Sequence, residues 1–528
     1  MAAMGPRLTR RQWMAGAAAA TAATTPGRPD GEAYRTFWGD LHNHNNIGYA
    51  QGSLRRTFEI ARNHLDFFAF TPHAWWHDIS HYENNIEHKW LNGFAVTRHR
   101  WPEVLRMVKE FDAPGRFVCI AGYEWHSSSL GDYHVLFPDL EAELYTPDGL
   151  PELQEFARRR GCLMIPHHPA LRTGGRGANF AHLDPRVSPV LEMYSEWGNA
   201  EHDRAPFPYV RHTEPGRWTR NTLQYLLAQG HRVGVVASTD DHLGYPGAYR
   251  EGLVAVKAAA LTREAIFDAL RSRRTYAVTG DRIALDFTLN GREMGQELPY
   301  ARNREIQVGV TGWHQVDRVE VLKNNRIIHR DFPMDREPSA RSWEQPVLVR
   351  FEYGWGPWPA LGITRVCDWD FRIELEGGAI EAFQTGFQSG PLEEDRRDRA
   401  LERSERGLRV VSFTALRQMI DDVSTKGVVL RARGGPDTRL TITLTKPVAM
   451  TRSWSFRDLA ESSEVLSTGA FPKESALVHR LVFQDHYRTS FRVADQDPGS
   501  GVNWYYVRVV QANGHLAWSS PIWVERAA

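Results

Sequence analysis

Apolar residues fall in two rhythms along this chain. Through Arg282 they come as short continuous runs separated by amphipathic stretches, and from Ile283 onward they alternate with polar residues. Continuous runs predict strands buried on both faces, as in a parallel sheet. Seven are predicted, over Thr36 to His42, Leu65 to Thr71, Arg116 to Tyr123, Tyr133 to Phe137, Cys162 to Pro166, Pro189 to Tyr194 and Arg232 to Ser238. Between them, Leu54 to Asn63, Trp101 to Phe111, Leu150 to Arg160 and Thr219 to Gln229 carry helical periodicity, and Thr262 is a plausible N-cap for a helix over Leu261 to Arg274. A βα repeat closing into a barrel-like domain is therefore expected.

The later rhythm predicts a different architecture. Short alternating segments such as Leu285 to Leu289, Glu305 to Val310, Val316 to Leu322, Asp370 to Leu375, Leu440 to Leu444 and Tyr505 to Val510 are bounded in places by Asn290-Gly291, Gly377-Gly378 and Asn513-Gly514 turns. These point to an antiparallel, sandwich-like domain over residues 283–528. Pro391 to Arg406 is charge-dense and reads as a surface insertion. Trp75 to Arg100 and Leu171 to Asp184 read as long loops at the mouth of the first domain.

The ends of the early runs carry the chemistry. The first ends in His42 and His44, and residues two apart in a strand share a side. His73 follows the second run and Glu124 the third; His134 lies at the start of the fourth. The fifth leads into His167 and His168, and the seventh into Asp240 and His242. Imidazole and carboxylate ligands gathered at one rim suit zinc, manganese or iron, and the lack of thiolates among them argues against a purely structural zinc. Glu192, Glu196 and Glu201, at the sixth strand end and in the loop beyond it, read first as solvated carboxylates, with support of a ligand or a role as acid the alternative for any of them.

Composition narrows the class. Lys and Arg number 64 against 64 Asp and Glu, so the formal net charge is zero and nothing marks a nucleic-acid binder. The 3 cysteines, Cys119, Cys162 and Cys367, form no metal-binding spacing and imply no disulfide framework. Arg10-Arg11, an alanine-rich apolar stretch from Ala15 to Ala23 and Ala20-Thr21-Ala22 resemble a twin-arginine export signal and spacer over residues 1–30, and the apolar stretch is too short for a membrane span. A periplasmic or secreted location reached through the twin-arginine export machinery is expected.

The ordered set His-x-His, Thr-x-His, Gly-x-Glu, a His before an apolar strand, Pro-His and Asp-x-His resembles the PHP (polymerase and histidinol phosphatase) superfamily. The run from Leu261 to Asp281 narrows the resemblance to the exported, carbaryl-hydrolase-like branch. The resemblance implies an α/β fold, a distorted (βα)7 PHP barrel over 31–282 followed by the β-rich C-terminal domain. It implies metal ligation by His42, His44, His73, Glu124, His134, Asp240 and His242, with His167 or His168 filling one further place. Two ions are expected, since Asn45 to Gln51 offers no carboxylate or imidazole for a third, although a third remains an alternative. Pro72 stands where many members have Asp, which removes a contact expected to orient His73.

These residues predict an exported hydrolase that uses metal-activated hydroxide on a small-molecule substrate. Glu124 would bridge the ions, Asp240 orient the nucleophile and a rim imidazole such as His242 protonate the leaving group. Arg172 and Arg176 could grip an anion. Phosphate esters are the first expectation and carboxyl esters or carbamates the second, with Trp75, Trp76 and Trp90 available for an aromatic group. A non-catalytic, metal-stabilised binding protein is the third.

Overall fold

A computed structural model of the chain describes residues 34–209, 216–356, 366–388, 395–415, 425–471, 473–499 and 501–527. The leader-like segment lies outside these residues, as does the start of the charged insertion. The protein is a mixed α/β molecule with a β-rich C-terminal region. Among the described residues no helix is long and apolar enough to cross a membrane.

All seven predicted early strands are present with shifted ends: β1 (Arg35–Asp40), β2 (Phe67–Phe70), β4 (Val118–His126), β5 (Asp132–Leu136), β6 (Leu163–His167), β7 (Val190–Ser195) and β9 (Gly234–Ala237). Four further strands join them, β3 (His73–Trp76), β8 (Gly198–Asn199), β10 (Leu253–Ala258) and β11 (Thr275–Val278). Parallel pairing links β1 to β2, β2 and β3 to β4, and β7 to β9. Elsewhere the pairing differs from a uniform parallel repeat. β4 with β5, β5 with β6, β1 with β10 and β10 with β11 are antiparallel. The reason is visible in the chain: the Ser127 to Gly131 turn between β4 and β5 is too short for the crossover that parallel neighbours need. β6 lies beside β7 and β9 beside β11, so the strands follow one another around a circuit.

The helix Leu54–His64 buries Leu54, Phe58 and Ala61, and Phe58 meets Phe68 and Phe111 with ring centroids at 4.8 and 5.4 Å. Each such aromatic pair adds about 0.5–1.5 kcal/mol beyond its burial, and this packing fixes the segment that carries His42 to Ser53. A second helix, His88–Phe111, replaces the second half of the loop expected over Trp75 to Arg100. Asn92-Gly93 looks like a turn, but Gly93 is a helical residue against which Tyr49 packs. A Cβ built there would lie 3.0 Å from the Tyr49 Cβ. Thr262 caps the helix Arg263–Arg271 by accepting a hydrogen bond from the Ala265 amide.

The C-terminal region contributes a four-stranded and an eight-stranded sheet. Its last strands return to the first sheet, where Leu516–Ser519 pairs with β11. One buried cluster accordingly contains Phe70, Tyr123 and Val135 together with Val308, Val319 and Val507. At the junction, fully buried Asp281 accepts hydrogen bonds from Tyr249, Gln384, Gln511 and Asn513 and pairs with Arg350.

Candidate metal centre

Strand register aligns the first donors. His73 is the register partner of Glu124 across β3 and β4, and Glu124 is the partner of His134 across β4 and β5. Directly opposed residues share a face of the sheet, so one row presents imidazole, carboxylate and imidazole to the interior. Asp132 is likewise the partner of His167 across β5 and β6. His126 alternates with Glu124 along β4 and emerges on the same side.

The remaining donors come from segments beyond strand ends. The Asp240 amide donates to the His42 carbonyl and the His44 amide to the Asp241 carbonyl, laying the two segments side by side. Asp40 anchors this arrangement by accepting from the amides of His42, Thr239 and Gly247. The alternate-residue geometry expected of Asp240 and His242 is not what places them. Asp240 has φ +55°, a left-handed conformation that Asp tolerates better than most residues, so the chain turns sharply there. His242 is instead fixed by its Nδ1, which donates to the Asp240 carbonyl at 2.8 Å and leaves Nε2 as an acceptor. His168 and Arg176 also have positive φ, at 45° and 67°, and such strain collects at functional sites.

Side-chain tips converge closely. Asp240 Oδ1 lies 3.0 Å from His44 Nε2 and 3.2 Å from His42 Nε2, and its Oδ2 lies 3.0 Å from His168 Nε2. Glu124 Oε2 is 3.4 Å from His73 Nε2 and 3.5 Å from His44 Nε2, while Glu124 Oε1 faces His167 Nε2 and His126 Nδ1. Both fifth-strand imidazoles therefore reach the centre, His167 toward Glu124 and His168 toward Asp240. Donor atoms of His42, His134 and His167 lie within 4.8 Å of one another, as do those of His44, His73 and His242, and those of His73, Glu124 and His126.

The donor set fits metal ions. Both ring nitrogens of His126, His134 and His167, with Glu124 Oε2, are buried and have no hydrogen-bond partner. Leaving so many polar atoms unmet in one place is costly, and coordination would satisfy them together. Burial drives the rings toward the neutral form a ligand requires: His42, His73 and His167 are held well below the usual imidazole range, His134 is pushed down to about 3 and His242 to about 4. Burial also raises the Glu124 carboxyl, and the nearby Asp240 and Asp132 add to the rise. For Asp240, burial pulls upward but hydrogen bonds from His168 and His44 outweigh it, and the carboxyl is held well below its ordinary value. The adjoining Asn45 is used otherwise: its Oδ1 accepts from the Ile47 amide and its Nδ2 donates to Thr57.

Of the two readings open for Glu192, the solvated one does not hold: the side chain is buried and sits with Oε2 3.1 Å from His42 Nδ1. His126 and Asp132 escaped the sequence reading and belong to the cluster, with His126 Nδ1 3.6 Å from Asp132 Oδ2. The signals were available, since His126 repeats the alternation seen at His42 and His44, and Glu192 interrupts an apolar strand. Pro72 does contribute, because its carbonyl accepts from the Glu124 amide at 3.0 Å.

A cavity of about 400 Å³ opens over the cluster and is lined by Glu124, His167, His168, Asp240 and His242 at its floor, with Tyr49, Lys89, Trp90, Arg176, Glu196 and Trp197 around them. Arg176 Nε and Nη2 donate to Asp132 Oδ2 at 2.9 and 2.5 Å, and its guanidinium lies 5.0 Å from the Trp76 ring centre. Arg172, the other arginine expected there, is exposed and does not line the cavity. Its backbone carbonyl accepts from the amides of Gly175 and Gly177, forming a tight turn. Trp75 and Trp76 brace the wall through Asp148 and Ser128, and of the three tryptophans expected there only Trp90 lines the space.

Comparison with known proteins adds the following. Residues 247–305 match a family model described as "Protein of unknown function (DUF3604)". An uncharacterized protein of Chlamydia pneumoniae is 27% identical over 257 residues, covering 44% of this chain and 41% of that protein. One from Chlamydia trachomatis is 25% identical over 330 residues, covering 56% and 49%. The chain thus spans less than half the length of these relatives. A crystal structure from Bacteroides vulgatus, described as a two-domain protein containing a predicted PHP-like metal-dependent phosphoesterase, is similar with a TM-score of 0.31 and 15% identity, over 55% of this chain and 79% of that one.

Proposed function

We propose that the chain is an exported metal-dependent hydrolase of phosphate esters. In this reading residues 31–282 form the hydrolase domain as a distorted barrel, 283–528 form a sandwich-like support, and the leader directs twin-arginine export to the periplasm or beyond. The observation that carries it is the buried meeting of Glu124 and Asp240 with the imidazoles around them beneath an open cavity.

His42, His134 and His167, with His44, His73 and His242, would hold divalent ions together with Glu124 and Asp240, and His126 and His168 extend the set. Ions bound there supply Lewis acidity and make water a nucleophile near neutral pH. The chain's own residues do the rest. Glu192 holds the His42 ring so that Nε2 faces inward. Arg176, fixed by Asp132, and Lys89 give the wall positive charge for an anionic ester. Glu196, which lines the cavity 4.0 Å from His242 Nδ1, would deliver a proton to the leaving-group oxygen. Tyr49, Trp90 and Trp197 pack the organic part and exclude water.

The same three aromatic residues favour a second reading, a carboxyl ester or carbamate hydrolase. Matched nitrophenyl phosphate, phosphodiester, acetate and carbamate substrates, assayed with metal-reconstituted protein, separate the two. Phosphate turnover abolished in His42→Ala supports the proposal. Undiminished turnover in that variant removes the site, and loss confined to the acetate and carbamate substrates selects the second reading. Metal binding without turnover of any of the four leaves a binding protein.

A further inference from the structure

A second cavity of about 400 Å³ lies in the β-rich region and shares no lining residue with the metal centre. Its wall carries Arg431, Arg433 and Arg488 against a single lining carboxylate, Glu381, with Gln345 and Gln484 at hand. Sequence and register explain the clustering. Arg431 and Arg433 alternate on the strand Lys426–Lys446 and so share a face. On the neighbouring strand Val366–Gly386 the register shifts between Ile380 and Ala382, and the residue left over at that bulge is Glu381.

Glu381 does not neutralise the cluster. Its Oε1 accepts from Arg433 Nε at 2.9 Å and lies 2.7 Å from Arg433 Nη2, while Oε2 stays 3.8 Å from Arg431 Nε. Arg431 is 6% exposed, and its Nε and Nη2 are buried without any hydrogen-bond partner. A guanidinium stays charged at every physiological pH, so this is a buried cation two of whose three nitrogens lack acceptors. Arginines outnumber carboxylates by three to one on the wall, and the planar fork suits a bidentate oxyanion.

We infer that this cavity binds a small oxyanion, phosphate or sulfate, free or as the terminal group of an organic ligand, with Arg431 as its inner contact and Arg433 and Arg488 at its rim. The site is independent of the hydrolytic reading.

The test is calorimetric titration of the full metal-loaded chain with sodium sulfate, with sodium phosphate and with a sugar phosphate, at ionic strength held constant with chloride. Saturable binding is expected, weakened at least tenfold in Arg431→Gln and severalfold in Arg433→Gln, with metal content and circular dichroism unchanged in both. A sugar phosphate that binds more tightly than the inorganic ions identifies the group as part of a larger ligand, and equal affinities identify the free ion. Failure of all three anions to bind, or affinities unchanged in the variants, overturns the assignment. Should Arg431→Gln not fold, Arg433→Gln at the exposed rim decides the matter by the same criteria.

Discussion

His42 turns Nδ1 onto the Glu192 carboxylate, whose Oε2 lies 3.1 Å away, and so commits Nε2 to the side where Asp240 and His44 converge. Carboxylates placed behind a ligating imidazole fix its tautomer and rotation, and losing one typically lowers metal affinity or activity about 10–100-fold. Glu192→Ala is expected to lose metal in that range while retaining its secondary structure. Metal content after dialysis against a graded chelator, read beside circular dichroism, measures it. Wild-type metal retention would show that Glu192 only fills space.

Arg176 raises a separate question, because the residue it neutralises is completely buried. Asp132 is 0% exposed, and the guanidinium holds its carboxyl below the usual range against the upward pull of burial. Arg176→Lys keeps the charge but loses the fork, so KM for an anionic ester should rise about tenfold with little change in stability. Arg176→Ala strands the carboxylate and should cost about 3 kcal/mol. Steady-state kinetics and urea titration of the two variants separate binding from folding. If Lys and Ala behave alike in both measurements, the pair has no role in recognition.

Ion removal should be felt by the fold itself. His126, His134 and His167 together bury six ring nitrogens without hydrogen-bond partners. A ligand present at a thousandfold excess over its Kd stabilises by about 4 kcal/mol. Scanning calorimetry should therefore show a lower midpoint after chelation and recovery on adding zinc or manganese. Coincident midpoints with and without chelator would argue that these imidazoles hold no ion.

Much of this centre was legible because its imidazoles and carboxylates sit where apolar strands end, and strand ends are the strongest signals in the first half of the chain. His42, His44, His73, Glu124, His134, His167, His168, Asp240 and His242 all reach the cluster or its cavity. What stayed hidden depended on distance in sequence or on local signals overridden by packing. Arg176 meets Asp132 from 44 residues away, and no local pattern announces such a pair. Trp75 to Arg100 reads as a loop, but from His88 it is helical, with Gly93 packed against Tyr49. Asp240 seemed to repeat the His-x-His alternation, but the strand ends at Ala237 and the backbone at Asp240 is left-handed. The return of Leu516–Ser519 to β11 is a pairing across nearly half the chain, which neither propensity nor periodicity encodes.

The junction that this return creates is held by Asp281. Arg350, His515, Asn513 and Tyr249 together keep its carboxyl far below the ordinary range although burial pulls the other way. A folded value below the unfolded one means that the contribution is complete above about pH 4 and is lost as the pH falls further. Asp281→Asn leaves Arg350 buried beside a neutral amide and should cost about 3–5 kcal/mol at pH 7. The difference from wild type should shrink as the pH drops below 4. Urea midpoints across that range test both statements, and a constant difference at every pH would contradict the second.

Glu474 shows the opposite behaviour. It is 5% exposed, and its Oε2 accepts a long 3.3 Å hydrogen bond from the Gly356 amide. Burial pushes its carboxyl up to about 8, outweighing the hydrogen bonds from Gly356 and Thr414. With the folded value above the unfolded one, folding takes up a proton between about pH 4.5 and 8. The associated stability is fully present below that window and declines through it by at most about 1.4 kcal/mol per pH unit. Glu474→Gln imitates the protonated carboxyl and carries no such slope. The variant should therefore match wild type near pH 4 and be more stable by a few kcal/mol at pH 9, with the gap levelling above pH 8. Denaturant midpoints of the two proteins between pH 4 and 9 supply the comparison, and parallel curves would place the ionised carboxylate in a solvated setting instead.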